Sequence, residues 1–266
     1  RTWNAQILQE LAHCEIGVVP TQWQRQQFPG HLSSRLRVIH EGIDTEALGK
    51  LRSAQLPRPA CLPADADLEI LTYVSRGFEE YRGFPQVMQA IALLQQQRPR
   101  LHVLIAGSDL VAYGAPRPDG RSWGDWAKQE LPLDPQRTHW LGPLQEPEYH
   151  QVLACSQVHL YLTIPFVLSW SLLEAMAAGC SIVASATPPV EEVLRHGQSA
   201  LLVPFFDPPA QAAAMAQLLD EPQLRRRLAE AAQVAAQAYG AHRGWQAWQA
   251  LLSRNDHQTG CAAVTG

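Results

Sequence analysis

Short runs of valine, isoleucine and leucine alternate along this chain with longer amphipathic runs, and that alternation most constrains its fold. The strand candidates are "EIGVVP" (15–20), "LRVIHEGID" (36–44), "LEILTYV" (68–74), "RLHVLIAG" (100–107), "THWLGPL" (138–144), "QVHLYLT" (157–163), "CSIVAS" (180–185) and "SALLVPF" (199–205). Between them, "FPQVMQAIALLQQQ" (84–97) places Val87, Met88, Ile91 and Leu94 at helical spacing. "PEYHQVLACS" (147–156), the segment after 163 and "PPVEEVLRHG" (188–197) also read as helices, the last closed by Gly197. Strands this apolar, each followed by a helix, predict an α/β fold: a Rossmann-like parallel sheet with helices on both faces. From about 208 the chain turns Ala-, Gln- and Leu-rich and predicts two or three consecutive helices broken near Pro222 and Gly240. The closing "NDHQTGCAAVTG" is expected to be disordered.

A sheet of this kind binds ligands outside the carboxyl ends of its strands. Loops that follow strands therefore share the functional edge. After "LEILTYV" comes "SRGFEEYRGFP" (75–85), with the cations Arg76 and Arg82 and the glycines Gly77 and Gly83, leading into a helix near Phe84. Free backbone N–H groups, a helix dipole and two guanidinium forks suit a phosphate-type anion. The plainer alternative is a solvated turn in which Glu79 and Glu80 neutralise the arginines. After "RLHVLIAG", Gly107 and Ser108 open a loop where backbone can approach a ligand closely. Leu141 and Gly142 form a tight turn whose backbone could face a planar base. His40 and His139 stand alone in the sequence and are read as structural.

The segment "TIPFVLSWSLLEAMAAG" (163–179) is almost wholly apolar but carries Glu174 without a partner cation. A buried carboxylate is costly. Either the dipole of the helix start accounts for it, or it accepts hydrogen bonds from the hydroxyls of a ligand.

Composition narrows the classes. Apolar residues are 46% and charged residues 17% of 266, as in an ordinary soluble globular chain with room for a sizeable core. The net charge is −4 and the pI about 6.2, so no nucleic-acid partner is expected. Five scattered cysteines without a CxxC pair argue for a reducing, cytoplasmic setting and against a disulfide framework or zinc site. No apolar run reaches the roughly 18–20 residues of a membrane span. The opening residues carry neither a signal-peptide pattern nor an initiator Met, which suggests a start cut from a longer chain.

"VIHEGIDTEAL", "SRGFEEYRGFPQVMQAI", "LHVLIAGSD", "LGPL" and "LLEAMAAGCSIVAS…EEVLRHGQSALLV", in this order over roughly residues 36–220, resemble the retaining glycosyltransferases of family 4. That resemblance implies a GT-B fold, two Rossmann-like domains facing each other across a cleft. Residues 36–225 would be the nucleotide-sugar donor-binding domain, residues 1–35 a remnant of the N-terminal acceptor-binding domain, and residues 226–266 the crossing helices and tail. It implies transfer of a sugar from a nucleoside diphosphate sugar, with retention, to an unknown glycan, lipid or small-molecule acceptor. Any peripheral membrane contact would belong to the absent part of the acceptor domain.

Arg76 matches the family Arg on the diphosphate, and Arg82 stands where the family has Lys. Both are thereby assigned to the leaving group. Glu174 matches the second of two glutamates separated by seven residues and would read the ribose hydroxyls. The first is replaced by Phe166, and the usual Gly-rich turn by Val167, Leu168, Ser169 and Trp170. That departure leaves the donor sugar and the rate open, although backbone N–H groups from Val167 to Ser169 could still meet the donor. Gly77, Gly107, Ser108, Leu141 and Gly142 complete the expected donor site.

No cofactor or metal is expected, because no Asp-x-Asp follows a strand and no His/Cys cluster is present. Two other readings remain: a nucleotide-sugar epimerase on the same fold, and a non-catalytic nucleotide-sugar-binding module, which Phe166 favours. A nicotinamide enzyme is disfavoured, since GxGxxG follows none of the strands.

Overall fold

A computed structural model describes residues 2–64 and 67–256. They form two compact units. One comprises the residues up to Asp44 together with those from Ala238 onward, and the other is Thr45–Gln237. These boundaries lie later than 35/36 and 225/226. The reason at the first is that the segment 36–38 pairs with the segment 17–19. At the second, one unbroken helix runs from Pro222 to Ala236.

In the first unit, α1 (Thr2–His13), β1 (Gly17–Val19), α2 (Gln22–Gln26), α3 (Gly30–Ser33) and β2 (Leu36–Val38) follow one another. The strands pair in parallel, Gly17 opposite Leu36. Leu11, Val19, Leu32 and Leu36 close a small core between them. The Thr21 side chain caps α2 by accepting from the backbone N–H of Gln24. His40 has a structural role: its Nδ1 accepts from the Gly42 N–H at 2.9 Å and its ring meets the edge of Tyr239.

The second unit runs α4 (Thr45–Gly49), β3 (Glu69–Gly77), α5 (Phe84–Gln97), β4 (Leu101–Ser108), α6 (Trp123–Glu130), β5 (Thr138–Gly142), α7 (Glu146–Cys155), β6 (Val158–Tyr161), α8 (Trp170–Ala177), β7 (Ser181–Ser185), α9 (Pro188–Glu191), β8 (Leu201–Val203), α10 (Pro208–Asp220) and α11 (Pro222–Ala236). The closing helix α12 (Ala241–Asp256) belongs to the first unit. Asn255 and Asp256, assigned to a disordered tail above, are helical; residues 257–266 lie outside the described residues.

All pairings in the larger sheet are parallel, in the order β5-β4-β3-β6-β7-β8. The predicted fold class is the one observed. Leu71, Tyr73, Val103 and Ile105 turn to one face and join a core with α5 and α10. Ile70 and Leu104, one residue out of phase, turn to the other and meet Val152 of α7. Two-sided burial explains why β6 and β7 are buried at every position. The helix expected over 188–197 stops after one turn at Glu191. The chain then folds back, with the Ser199 hydroxyl taking the Arg195 N–H and Gly197 donating to Ala200.

Candidate active site at the junction of two central strands

The chain moves outward from β3 to β4 and β5, then returns to β6 on the other side of β3. Connections leave β3 and β6 in opposite directions, and in such sheets a crevice opens above that junction. Here it is a cavity of about 390 Å³. Tyr73 to Arg76 of β3, Tyr161 and Leu162 at the end of β6, and Phe166 to Ser171 at the start of α8 line it.

Below the cavity the two strands are stitched by buried polar groups. Only Leu71 with Val158 and Thr72 with His159 pair in register. The Thr72 hydroxyl lies 2.7 Å from Ser156 Oγ and 2.8 Å from His159 Nδ1. Burial pushes the His159 imidazole down to about 4, so it is neutral at pH 7.

Arg82 is 8% exposed. Its Nη1 donates to Tyr161 Oη at 3.1 Å, Thr163 Oγ1 at 3.1 Å and the Val167 carbonyl at 3.0 Å. The Phe166 ring centroid lies 5.3 Å and the Tyr113 centroid 5.8 Å from its guanidinium carbon. Phe166 also packs against Tyr81 and Tyr113, at 5.5 and 5.2 Å between centroids. Arg82 thus ties the loop 163–167 to the end of β6 under an aromatic cover. Burial raises the Tyr161 phenol, and the Arg82 charge partly opposes that. Arg76, by contrast, is exposed on the cavity wall and pairs with no carboxylate among the described residues.

Glu79 does not neutralise the arginines. It is 1% exposed, and its Oε2 accepts from the backbone N–H groups of Tyr113 and Gly114, both at 2.8 Å. Its Oε1 has no partner among the described residues. The helix start that faces the cavity belongs to α8 rather than α5, whose first residues Phe84 and Pro85 are buried in the core. Ser169 caps α8: its hydroxyl accepts from the Ser171 N–H, while its own N–H donates to Tyr161 Oη at 3.0 Å.

Residues 60–235, about two thirds of the chain, match the family described as glycosyl transferases group 1. The chain belongs to that family. Residues 1–48 match a second description, glycosyl transferase family 4 group. A D-inositol 3-phosphate glycosyltransferase of Thermobispora bispora is 26% identical over 223 residues, which is 82% of this chain and 49% of the relative. The corresponding protein of Corynebacterium glutamicum is 26% identical, covering 92% of this chain and 57% of the relative. The chain therefore spans about half the length of the curated relatives it matches. Among solved structures, HepE of Anabaena, in complex with UDP and glucose, superposes with a TM-score of 0.72 at 19% identity. That superposition covers 90% of this chain and 63% of HepE. Sucrose-phosphate synthase of Thermosynechococcus elongatus gives 0.67 at 24% identity, covering 94% and 62%. These likenesses show the fold, that of the GT-B glycosyltransferases.

In this group 1 glycosyltransferase chain, the sequence-predicted residues divide. Arg76, Arg82, Phe166, Val167, Leu168 and Ser169 line one cavity. Gly77, Gly107, Ser108, Leu141 and Gly142 end β3, β4 and β5 on the same edge but do not line it. Gly107 has a φ of +139°, and a Cβ there would lie 1.9 Å from the Ser75 carbonyl oxygen. What that glycine accommodates is the neighbouring strand end. Glu174 also lies outside the lining, and it has a partner: Tyr149 of α7 donates its hydroxyl to Glu174 Oε2 at 2.8 Å. Burial raises the Glu174 carboxyl, and the Tyr149 hydrogen bond partly offsets this.

His139 is not alone either, its Nε2 lying 2.9 Å from His102 Nδ1. Tyr73, Tyr113 and Tyr161 also line the cavity without having been named in the sequence, as do Glu79 and Trp170, which were named there without a ligand role. A tyrosine in a strand looks like core, and only strand order shows which of them reach the crevice. Among the described residues, no group of three or more His, Cys, Asp or Glu could hold a metal ion. No described helix is long and apolar enough to cross a membrane.

Proposed function

We propose that this chain is the donor-binding half of a glycosyltransferase that moves a sugar from a nucleoside diphosphate sugar to an acceptor with retention at the anomeric carbon. The carrying observation is the cavity at the β3–β6 junction, where the exposed Arg76 and the α8 start converge on one space. Family membership and neighbours solved with UDP or UDP-glucose support the nucleotide-sugar donor.

Each residue has a task in this reading. Arg76 meets the diphosphate and stabilises the charge that develops as the bond to the sugar breaks. The α8 start offers N–H groups and a favourable dipole to the same oxygens. Arg82, whose Nη1 donates to three neutral oxygens, holds the loop 163–167 in place and adds positive potential from behind. Tyr149 orients Glu174, leaving its other oxygen to accept from ribose hydroxyls. Phe166 presents a ring where the resembling family has a carboxylate, so the donor sugar meets an apolar surface there.

A second reading, a nucleotide-sugar-binding module without transfer, is favoured by that same ring covering Arg82. An epimerase has less support. Among the described residues, Glu79 is the only carboxylate that lines the cavity and no histidine lines it, and Glu79 is already held by two backbone N–H groups. The test uses the full-length protein with labelled nucleotide sugars and an acceptor panel. Transfer with the donor's anomeric configuration supports the proposal. Binding without turnover supports the module, and an epimerised donor in the absence of acceptor supports the epimerase.

A further inference from the structure

A second cavity, of about 570 Å³, lies at the opposite edge of the sheet. Its walls come from residues that precede strands: Gln157 before β6, and Gly179 with Ser181 at the entry to β7. Arg52, which follows α4, and Arg225 and Arg226 on α11 bring three guanidinium groups to it. The one carboxylate among the described lining residues, Glu230, is engaged by Arg226 Nε at 2.8 Å.

The other two arginines have no acid partner among the described residues. Arg52 donates to the Ser156 carbonyl at 2.6 Å and the Ala178 carbonyl at 3.2 Å. Arg225 donates through Nη1 to the carbonyls of Leu218 and Leu219, at 3.0 and 3.2 Å. Each arginine thereby ends one or more helices, a sufficient structural task for one side of its fork. Carbonyl oxygens satisfy N–H groups but leave the charge standing. Arg225 has its proton affinity lowered by burial first and by the neighbouring Arg52 charge second, with Glu69 opposing. Two cations held close, with unused N–H groups, lack an acceptor.

Independent of the arginines, Ser181 is 1% exposed and its hydroxyl has no hydrogen-bond partner among the described residues. Gly179, with φ +73°, lets Arg52 lie against the chain: a Cβ there would sit 3.4 Å from Arg52 Nε. The Gln233 amide donates to the Ala177 carbonyl at 2.9 Å and adds a further donor-bearing group to the wall.

We propose that this cavity binds a small oxyanion of the phosphate class, held by Arg52 and Arg225 with the Ser181 hydroxyl. It is a site separate from the donor cavity, because the two lie at opposite ends of β6, Gln157 at one and Tyr161 at the other. Arg226 adds to its field, and the Glu230 carboxylate that it engages partly offsets that.

The test titrates the chain with inorganic phosphate and, separately, with glycerol phosphate, against sodium chloride at equal ionic strength. Backbone amides are followed by NMR and heat by calorimetry. Saturable shifts at Gly179, Ser181 and Gln233 that chloride does not reproduce are expected. A tighter response to glycerol phosphate assigns the anion to a phosphate ester, and an equal response assigns it to the free ion. Arg225→Gln should weaken binding at least about tenfold. Because Arg225 also closes α10, Ser181→Ala and Arg226→Gln serve as variants expected to keep the fold while weakening binding a few-fold. Shifts confined to Ser169–Ser171, shifts equal to those in chloride, or no shifts with either phosphate would overturn the proposal.

Discussion

The carboxyl edge of the sheet has two halves, and they differ. At β3–β6 the strand ends part and a cavity forms, floored by buried polar groups and walled by aromatic side chains. Farther out, the end of β4 packs tightly against the end of β3. The chain at Gly107 lies against the Ser75 carbonyl, and Gly142 ends β5 in a left-handed turn with a φ of +68°. Both halves carry glycines and loops of similar composition. Connection direction separates them: β4 and β5 follow β3 outward, whereas β6 starts the return on the other side. A cavity here is a consequence of topology, and side chains then decide what fills it.

The comparison breaks most visibly if the loop tie is removed. Arg82→Ala strips donors from Tyr161, Thr163 and Val167 in a buried setting. It should cost about 3 kcal/mol of stability in denaturant unfolding and abolish nucleotide binding. Arg82→Lys keeps the charge with fewer donors and should recover part of both.

The floor of the cavity should respond to acid. Burial holds the folded His159 at about 4, below the ordinary histidine value of 6.5, so the unfolded chain binds the extra proton. Its contribution to stability is full above about pH 6.5 and is lost as pH falls toward about 4, by roughly 3 kcal/mol. Burial lowers His102 and His139 as well, and they act in the same direction. Unfolding curves at pH 7, 5.5 and 4 measure the slope, and His159→Asn should flatten it.

How much of this was legible in the sequence follows from the same contrast. Alternating apolar and amphipathic runs announce a parallel sheet, and Arg76 and Arg82 are visible as cations after its first strand. Their difference is not visible: one is exposed, while the other is 8% exposed and tied to three oxygens. That depends on Tyr161 and Thr163, distant in sequence and brought close only by β3–β6 pairing. Glu174 looked unpaired for the same reason, since Tyr149 sits 25 residues earlier on a separate helix. Short elements such as α6, eight residues long, carry too few apolar positions to show a period.

Arg76→Ala sharpens the comparison at the cavity mouth. Stability should stay within about 0.5 kcal/mol, because the side chain is exposed. Nucleotide affinity should fall roughly tenfold to a hundredfold in calorimetry, as expected for one charge-assisted contact to a diphosphate. Tyr149→Phe should have the smallest effect. It removes one hydrogen bond to Glu174, weakening nucleotide binding by a few-fold, about 1 kcal/mol, with little change for inorganic pyrophosphate.

Hydrogen exchange of the chain with and without UDP, GDP and ADP tests the central claim most directly. The account predicts that one nucleotide slows exchange at residues 73–76 and 166–171, with weaker protection near 107–108 and 141–142. Protection centred on β4–β5 with none at 166–171 would contradict it.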